Sequence, residues 1–308
     1  MRRSCTKSIY GYSFLRLVLL IFSCMFLIIV FLTIKLITYE KSSCQRLDES
    51  INIEDNKFPV LPSEEIIVNK NHISGHKLAI LVPYKDRFEE LLVFAPYIHN
   101  FLIKQNVDHD IFILHQIDFF RFNRASLINV GFLATKDNYT YLAMHDVDLL
   151  PLNDNLLYKY PEMPLHIASP KFHPRYHYEK FIGGILLINR EHFSKVNGLS
   201  NRYWGWGLED DEFYVRLKDA KLTIQRPENI TTGTTNTFKH IHTKQRVRDT
   251  KKCFNQKEVT RKRDKVTGLH DVKYNIKSRT KMNIEGAPLT IINVQLLCDQ
   301  TKTPWCEC

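Results

Sequence analysis

Cysteine is scarce, seven in 308 residues, and no two are spaced Cys-x-x-Cys. That excludes a disulfide scaffold and argues against a structural zinc site. No internal repeat is evident. Neither sign of charge dominates: 43 Lys plus Arg stand against 33 Asp plus Glu, a net +10, with 25% charged and 44% hydrophobic residues. These values exclude a disordered or low-complexity chain. At 36.4 kDa the chain holds one large domain or two modest ones. Its mean hydropathy of −0.26 hides an asymmetry, because the most apolar stretch lies in the first forty residues.

From Leu17 to Ile34 there are 18 residues without a charge. At about 1.5 Å per residue this nearly crosses a bilayer core of roughly 30 Å. Phe14, Leu15, Leu36 and Ile37 extend it. The alternatives are a cleaved signal peptide or a buried helix. The run exceeds a signal h-region and no small-x-small cleavage site follows, so it reads as an uncleaved anchor. Arg2, Arg3, Lys7 and Arg16 precede the run, while Glu40, Asp48 and Glu49 offset Lys35, Lys41 and Arg46 after it. The positive-inside rule then predicts a cytoplasmic tail at 1–13, an anchor at 14–37, a polar stem at 38–75 and a lumenal body at 76–308. Nucleic acid is no partner for a body so placed. The sequons at Asn138 and Asn229 agree with a lumenal setting. Cys298 and Cys306 are spaced for a short disulfide-closed loop, whereas Cys44, Cys253 and Cys308 leave the remaining pairing open.

The body predicts an α/β fold. Apolar runs at Lys77–Tyr84, Ile111–Ile117, Tyr139–Met144 and Gly184–Asn189 read as strands. Helical spacing at Glu89–Gln105, Asn123–Thr135 and Asp210–Ala220 alternates with them. Such alternation predicts a largely parallel sheet covered on both faces, with ligands beyond the carboxyl ends of the strands.

Four segments at or after those strand ends carry candidate chemistry. Asp146-Val147-Asp148 places two carboxylates on one side of an extended segment, where a hard divalent cation relieves their repulsion. A solvated turn is the plainer reading. His240-Ile241-His242 again puts i and i+2 on one face. With a carboxylate beside them, the imidazoles make a mixed O/N set that favours Mn²⁺, although two surface histidines would look alike. In the run from Trp204 to Glu212 (WGWGLEDDE) two glycines permit a tight turn and two tryptophans offer faces for a sugar ring. The following acids open a helix. Capping explains one or two of them, not four. Finally, Pro83-Tyr84-Lys85-Asp86-Arg87 and Phe122-Asn123-Arg124-Ala125 present basic and aromatic groups where a nucleotide fits.

These segments, PYKDR, FNRA, DVDLLP, FIGG and WGWGLEDDE followed by a histidine, span about residues 76–308. In that order they closely resemble the animal β1,4-galactosyltransferases. The resemblance implies a GT-A fold, that is, a Rossmann-like mixed, mainly parallel sheet. It also implies a type II Golgi membrane enzyme, a UDP-galactose donor and Mn²⁺. Members acting on N-acetylglucosamine carry Met-x-x-His where His240-Ile-His242 stands. The histidine pair and the tail GAPLTIINVQLLCDQTKTPWC resemble the xylose-specific branch, which extends β-xylose on the serine of a proteoglycan core protein. A family member using N-acetylglucosamine, or a catalytically silent glycan-binding protein, are the rival readings.

The resemblance implies Asp210 as catalytic base and Asp148, His240 and His242 as metal ligands. It places Pro83, Tyr84, Lys85, Arg87, Phe122, Arg124, Asp146, Val147, Gly184 and Trp206 about the donor. Glu209, Asp211, Tyr176 and Tyr178 fall to the acceptor. The family often has Arg where Lys85 stands. Lys244–Lys265 then holds ten basic residues against three acidic ones. It reads as a solvated mobile loop, as a lid closing over donor, or as a contact for acidic groups on the acceptor's carrier.

Overall fold

The computed structural model describes residues 75–308 except 136–137 and 243–245, together with scattered helical positions between 22 and 35. Among the described residues no helix is long and apolar enough to cross a membrane. The expected tail and stem, and much of the expected anchor, lie outside the described residues.

Four central strands run the same way. β1 (Leu78–Tyr84) pairs in parallel with β2 (His109–Gln116) on one side and β3 (Tyr141–His145) on the other, and β2 pairs in parallel with β9 (Ala287–Leu296). Between β3 and β9 lie β4 (Leu149–Pro151), β5 (Leu165–His166), β6 (Ile185–Asn189), β7 (Phe238–His240) and β8 (Tyr274–Ile284). The seven-stranded order is β5-β6-β3-β1-β2-β9-β8, with β6 antiparallel to β3 and β8 antiparallel to β9. β4 and β7 form a separate antiparallel pair.

Period-2 alternation sorts β1 between two cores. Leu78, Ile80 and Val82 face α1 (Phe88–Lys104) through Leu91, Phe94, Ala95, Ile98 and Leu102. Ala79 and Leu81 face α2 (Arg124–Ala134) and α4 (Glu209–Asp219) through Leu127, Ile128, Phe213 and Leu217. Truncating one such buried leucine to alanine costs roughly 2–5 kcal/mol. α3 (Arg190–Lys195) and α5 (Gln256–Arg261) are single short helices. The predicted strands and helices agree with these within one or two residues. The long β8–β9 hairpin was not among them: β8 has ten of its eleven residues at least partly open on an edge, so it lacks the apolar run of a buried strand. α2 begins on a side-chain cap, the Asn123 carboxamide accepting from Ser126 N.

Disulfides join Cys298 to Cys306 and Cys253 to Cys308. The second resolves pairing left open by spacing and fastens the basic segment to the C-terminus. Two acids of that segment are held by the body of the fold. Asp249 takes a bidentate bond from Arg121 at 2.6 and 2.9 Å, and buried Asp264 accepts from Ser200 at 2.5 Å.

Candidate active site

β3 ends at His145, so Asp146 and Asp148 emerge at the carboxyl edge of the sheet. The β4–β7 ladder sets Leu149 opposite His240, and Ile241 N donates to Asp148 O at 2.9 Å. That pairing carries both imidazoles to the carboxylate. Asp148 Oδ2 lies 3.1 Å from His242 Nδ1 and 3.6 Å from His240 Nε2. The three candidate ligand atoms fall within 4.8 Å of one another. Burial lowers the pKa of His240 despite the Asp148 charge, which favours the neutral imidazole a metal requires. His242 Nε2 sits 2.6 Å from the Arg246 carbonyl, which fixes the ring with Nδ1 toward Asp148. Arg246 itself is held by Glu89 and by Glu90, which is only 3% exposed, at 2.9 and 3.1 Å for the latter. One carboxylate and two imidazoles suit Mn²⁺.

The Asp146 carboxylate takes a 2.8 Å bond from Arg124 Nε, and its backbone N–H donates to Gly184 O at 2.9 Å. Arg124 Nη1 reaches Glu209 Oε1 at 4.0 Å. One guanidinium thus joins the β3 edge to the start of α4. Burial alone would lower its pKa, but Asp146, Glu209 and Asp210 together raise it.

The turn into α4 is unusual in its backbone. Gly205 and Gly207 have φ of 84° and 103°, and Leu208, at the N-cap, has φ of 74°. Gly205 is required because a Cβ there would meet the Arg121 guanidinium at 2.1 Å. Leu208 offers no side-chain cap, so the acids supply the charge at this helix end. Asp210 comes next but one, half-buried. Burial, then the charges of Glu209 and Asp211, push its pKa up to about 8 against the pull of Arg124. A Cβ on Gly183 would stand 2.7 Å from Asp210 Oδ2, so that glycine leaves the carboxylate its place. Burial also raises Glu209, whose Oε2 is buried without a hydrogen-bond partner. The Tyr176 hydroxyl is likewise buried and unpartnered. Both orphaned oxygens are candidates for contact with a polar ligand.

The remaining expected residues divide. Trp206 is 52% exposed and carries the Arg248 guanidinium 4.9 Å from its ring centroid. Trp204, also expected to present a sugar-stacking face, is 3% exposed and packs on Phe120 in the core. Tyr178 donates to Asp211. Lys85 is spent on the backbone carbonyls of Asp118 and Phe120, at 3.0 and 2.7 Å, so it braces the loop after β2. Pro83 is buried, Tyr84 packs edge-on to His115, and Arg87 bonds the Asp86 carbonyl. Phe122 is half-buried, its carbonyl accepting from Gly205 N. The Val147 side chain belongs to the core, leaving only its backbone for a ligand. Asn138 and Asn229 are exposed.

His173, Arg246 and Arg248 were missed by motif reading. His173 is buried, with Nδ1 accepting from Arg175 N and Tyr176 N at 3.0 Å, and burial pushes its pKa down to about 4. No spacing singles these residues out.

Comparison with known proteins decides the family. A model of the N-terminal region of glycosyl transferase group 7 matches residues 43–161, and one of the N-terminal domain of galactosyltransferase matches 163–242. β-1,4-Galactosyltransferase 7 of Drosophila melanogaster is 64% identical over 238 residues, which is 76% of this chain and 74% of the relative. The chain belongs to the β-1,4-galactosyltransferase family. Xylosylprotein 4-β-galactosyltransferase of Caenorhabditis elegans is another member, 52% identical over 76% of this chain and 83% of its own length. The family's mixed α/β glycosyltransferase fold is also found by superposition. A crystal structure of a Drosophila β-1,4-galactosyltransferase 7 mutant in complex with manganese, UDP-Gal and xylobiose aligns with TM-score 0.75. It shares 64% identity and covers 76% of this chain and 99% of that one.

Proposed function

We propose that this chain is a xylosylprotein 4-β-galactosyltransferase. It transfers galactose from UDP-galactose, with inversion, to the 4-hydroxyl of β-xylose on the serine of a proteoglycan core protein. The observation that carries the reading is the convergence of Asp148, His240 and His242 at the carboxyl edge of the sheet, joined through Asp146 and Arg124 to the acids that open α4. In this family, a histidine pair in place of Met-x-x-His goes with xylose. Relatives named for that acceptor support the same choice.

The chemistry comes from placement. Galactose leaves an α-linked nucleotide and ends β-linked, so one in-line displacement suffices. Asp210 takes the proton from the 4-hydroxyl as that oxygen bonds to the anomeric carbon, and the bond to the diphosphate breaks. A positioned base contributes roughly 10²–10⁴-fold. Glu209 and Asp211 hold sugar hydroxyls, Tyr176 and Tyr178 bound the acceptor, and Trp206 stacks on a ring. Arg124 with Asp146, and the backbone about Pro83, Tyr84, Lys85, Arg87, Phe122, Val147 and Gly184, cradle the donor. Mn²⁺ bound by Asp148, His240 and His242 supplies neutralisation of charge on the departing diphosphate.

The setting we propose is the Golgi membrane, with type II topology and the catalytic domain at 76–308 in the lumen. The uncharged run at 17–34 behind four basic residues, exposed sequon asparagines and two disulfides support it. The deciding test offers UDP-galactose with a β-xyloside or an N-acetylglucosaminide, with Mn²⁺ or with EDTA, followed by linkage analysis. Metal-dependent β1,4 transfer to xylose alone is expected. Preference for N-acetylglucosamine, or no turnover, would remove the reading.

A further inference from the structure

Away from the candidate metal ligands, α4 borders a groove of about 430 Å³. Its walls include Tyr214 and Lys218 from the helix, Lys221 and Leu222 beyond its end, Glu179 and Arg226. Three cations therefore face one carboxylate. Neither Lys218 nor Lys221 makes an ion pair among the described residues. Arg226 donates to the Glu179 carbonyl at 2.6 Å, lies 3.5 Å from the His166 ring, and makes no ion pair among the described residues. A surplus of positive charge lining a concavity suits an anionic ligand.

The groove shares helix α4 with the acids at the acceptor end of the site. Asp211, Tyr214 and Lys218 lie at i, i+3 and i+7, so they share one face of α4. Asp211 is bonded by Tyr178, whose neighbour Glu179 is part of the groove wall. From Asp211 to Lys218 the helix rises about 10 Å, roughly two pyranose widths. In a pyranose, C1 and C4 lie across the ring from each other. With O4 at Asp210, the reducing end points away from the base. On the proposed function, the group joined to the xylose reducing end is polypeptide.

We propose that this groove binds the acceptor's polypeptide where it is acidic, Lys218, Lys221 and Arg226 meeting side-chain carboxylates next to the xylosylated serine. The inference rests on the proposed acceptor. Within the basic segment at 244–265, one of whose readings was the same contact, three arginines are already engaged: Arg246 on Glu89 and Glu90, Arg248 on Trp206 and Tyr176, and Arg263 on Asp219.

The test compares three acceptors at low salt: a small neutral β-xyloside, and xylosylserine in an acidic or in an uncharged peptide. Wild type is expected to favour the acidic peptide through KM. Lys218→Glu/Lys221→Glu should lower kcat/KM for the acidic peptide about tenfold while the xyloside stays within about twofold, as expected for lost charge complementarity rather than lost chemistry. Lys218→Gln/Lys221→Gln should give a smaller loss and guards against misfolding of the reversal variant. The acidic peptide without xylose should bind wild type in fluorescence anisotropy and release on raising salt. Equal losses for all acceptors, no preference for the acidic peptide in wild type, or displacement by a heparin oligosaccharide but not by that peptide, would overturn the groove assignment. Failure of wild type on the xyloside would instead overturn the proposed function, and anisotropy would still report on the groove.

Discussion

Two acidic clusters face each other across Arg124, and the fold treats them differently. At the end of β3, Asp146 is paired with Arg124 at 2.8 Å and Asp148 is pinned between two imidazoles. At the start of α4, Glu209 and Asp210 share only the fringe of that same guanidinium, and burial raises both. Glu212, the last of the run, is neutralised within the helix by Arg216 at 2.8 and 2.9 Å. Four adjacent acids therefore hold different duties. A carboxylate denied compensation gains proton affinity, which a base needs.

The contrast is broken most severely at its two extremes. Asp210→Asn should reduce transfer by at least about 10²-fold while UDP affinity, measured by calorimetry, changes little. Retained turnover would remove Asp210 as base. Asp148→Ala or His242→Ala should instead abolish Mn²⁺ binding, read by electron paramagnetic resonance without any turnover, as expected for loss of one ligand in three. A mutant that loses both properties at once would erase the distinction between clusters.

The pH dependence sharpens it. Asp210 titrates at about 8 in the folded chain against 3.8 ordinarily. The folded state therefore holds the extra proton between these values, so stability attributable to this group is lost as pH rises through that window. Asp210→Asn should melt progressively higher than wild type from pH 4 to pH 8, although it is inactive. In wild type, kcat/KM should climb toward pH 8 as the base ionises. A flat difference in Tm would show that the carboxylate carries no such burden. Smaller still, Glu90→Gln loosens the anchor of Arg246, whose carbonyl orients His242. Mn²⁺ affinity is expected to fall by less than about tenfold with the fold intact. Gly183→Ala should lower kcat with little effect on Mn²⁺ affinity, because the added methyl presses on Asp210 and Phe181, away from the metal ligands.

Much of this was legible beforehand because local pattern carries it. Buried strands such as Leu78–Tyr84 announce themselves as apolar runs, and Asp146-Val-Asp148 declares its shared face by spacing alone. The β8–β9 hairpin did not, since an exposed, charged edge strand loses the apolar signature while β9 owes its place to pairing with β2, far away in sequence. Trp204 and Trp206 look interchangeable in the chain, yet Gly205 turns one into the core and the other to solvent. Likewise Lys85 resembles a phosphate contact until the carbonyls of the loop after β2 claim it.

Residue order alone determined the α/β alternation, the membership in a family of sugar-nucleotide enzymes and the identity of the candidate ligands, because periodicity and spacing are properties of neighbours along the chain. Tertiary structure decided which carboxylate is buried without a counter-charge, which tryptophan is free, and which basic residues remain unpaired beside α4. Those outcomes depend on the distant segments that pack against a side chain, and desolvation and charge pairing exist only once those segments meet.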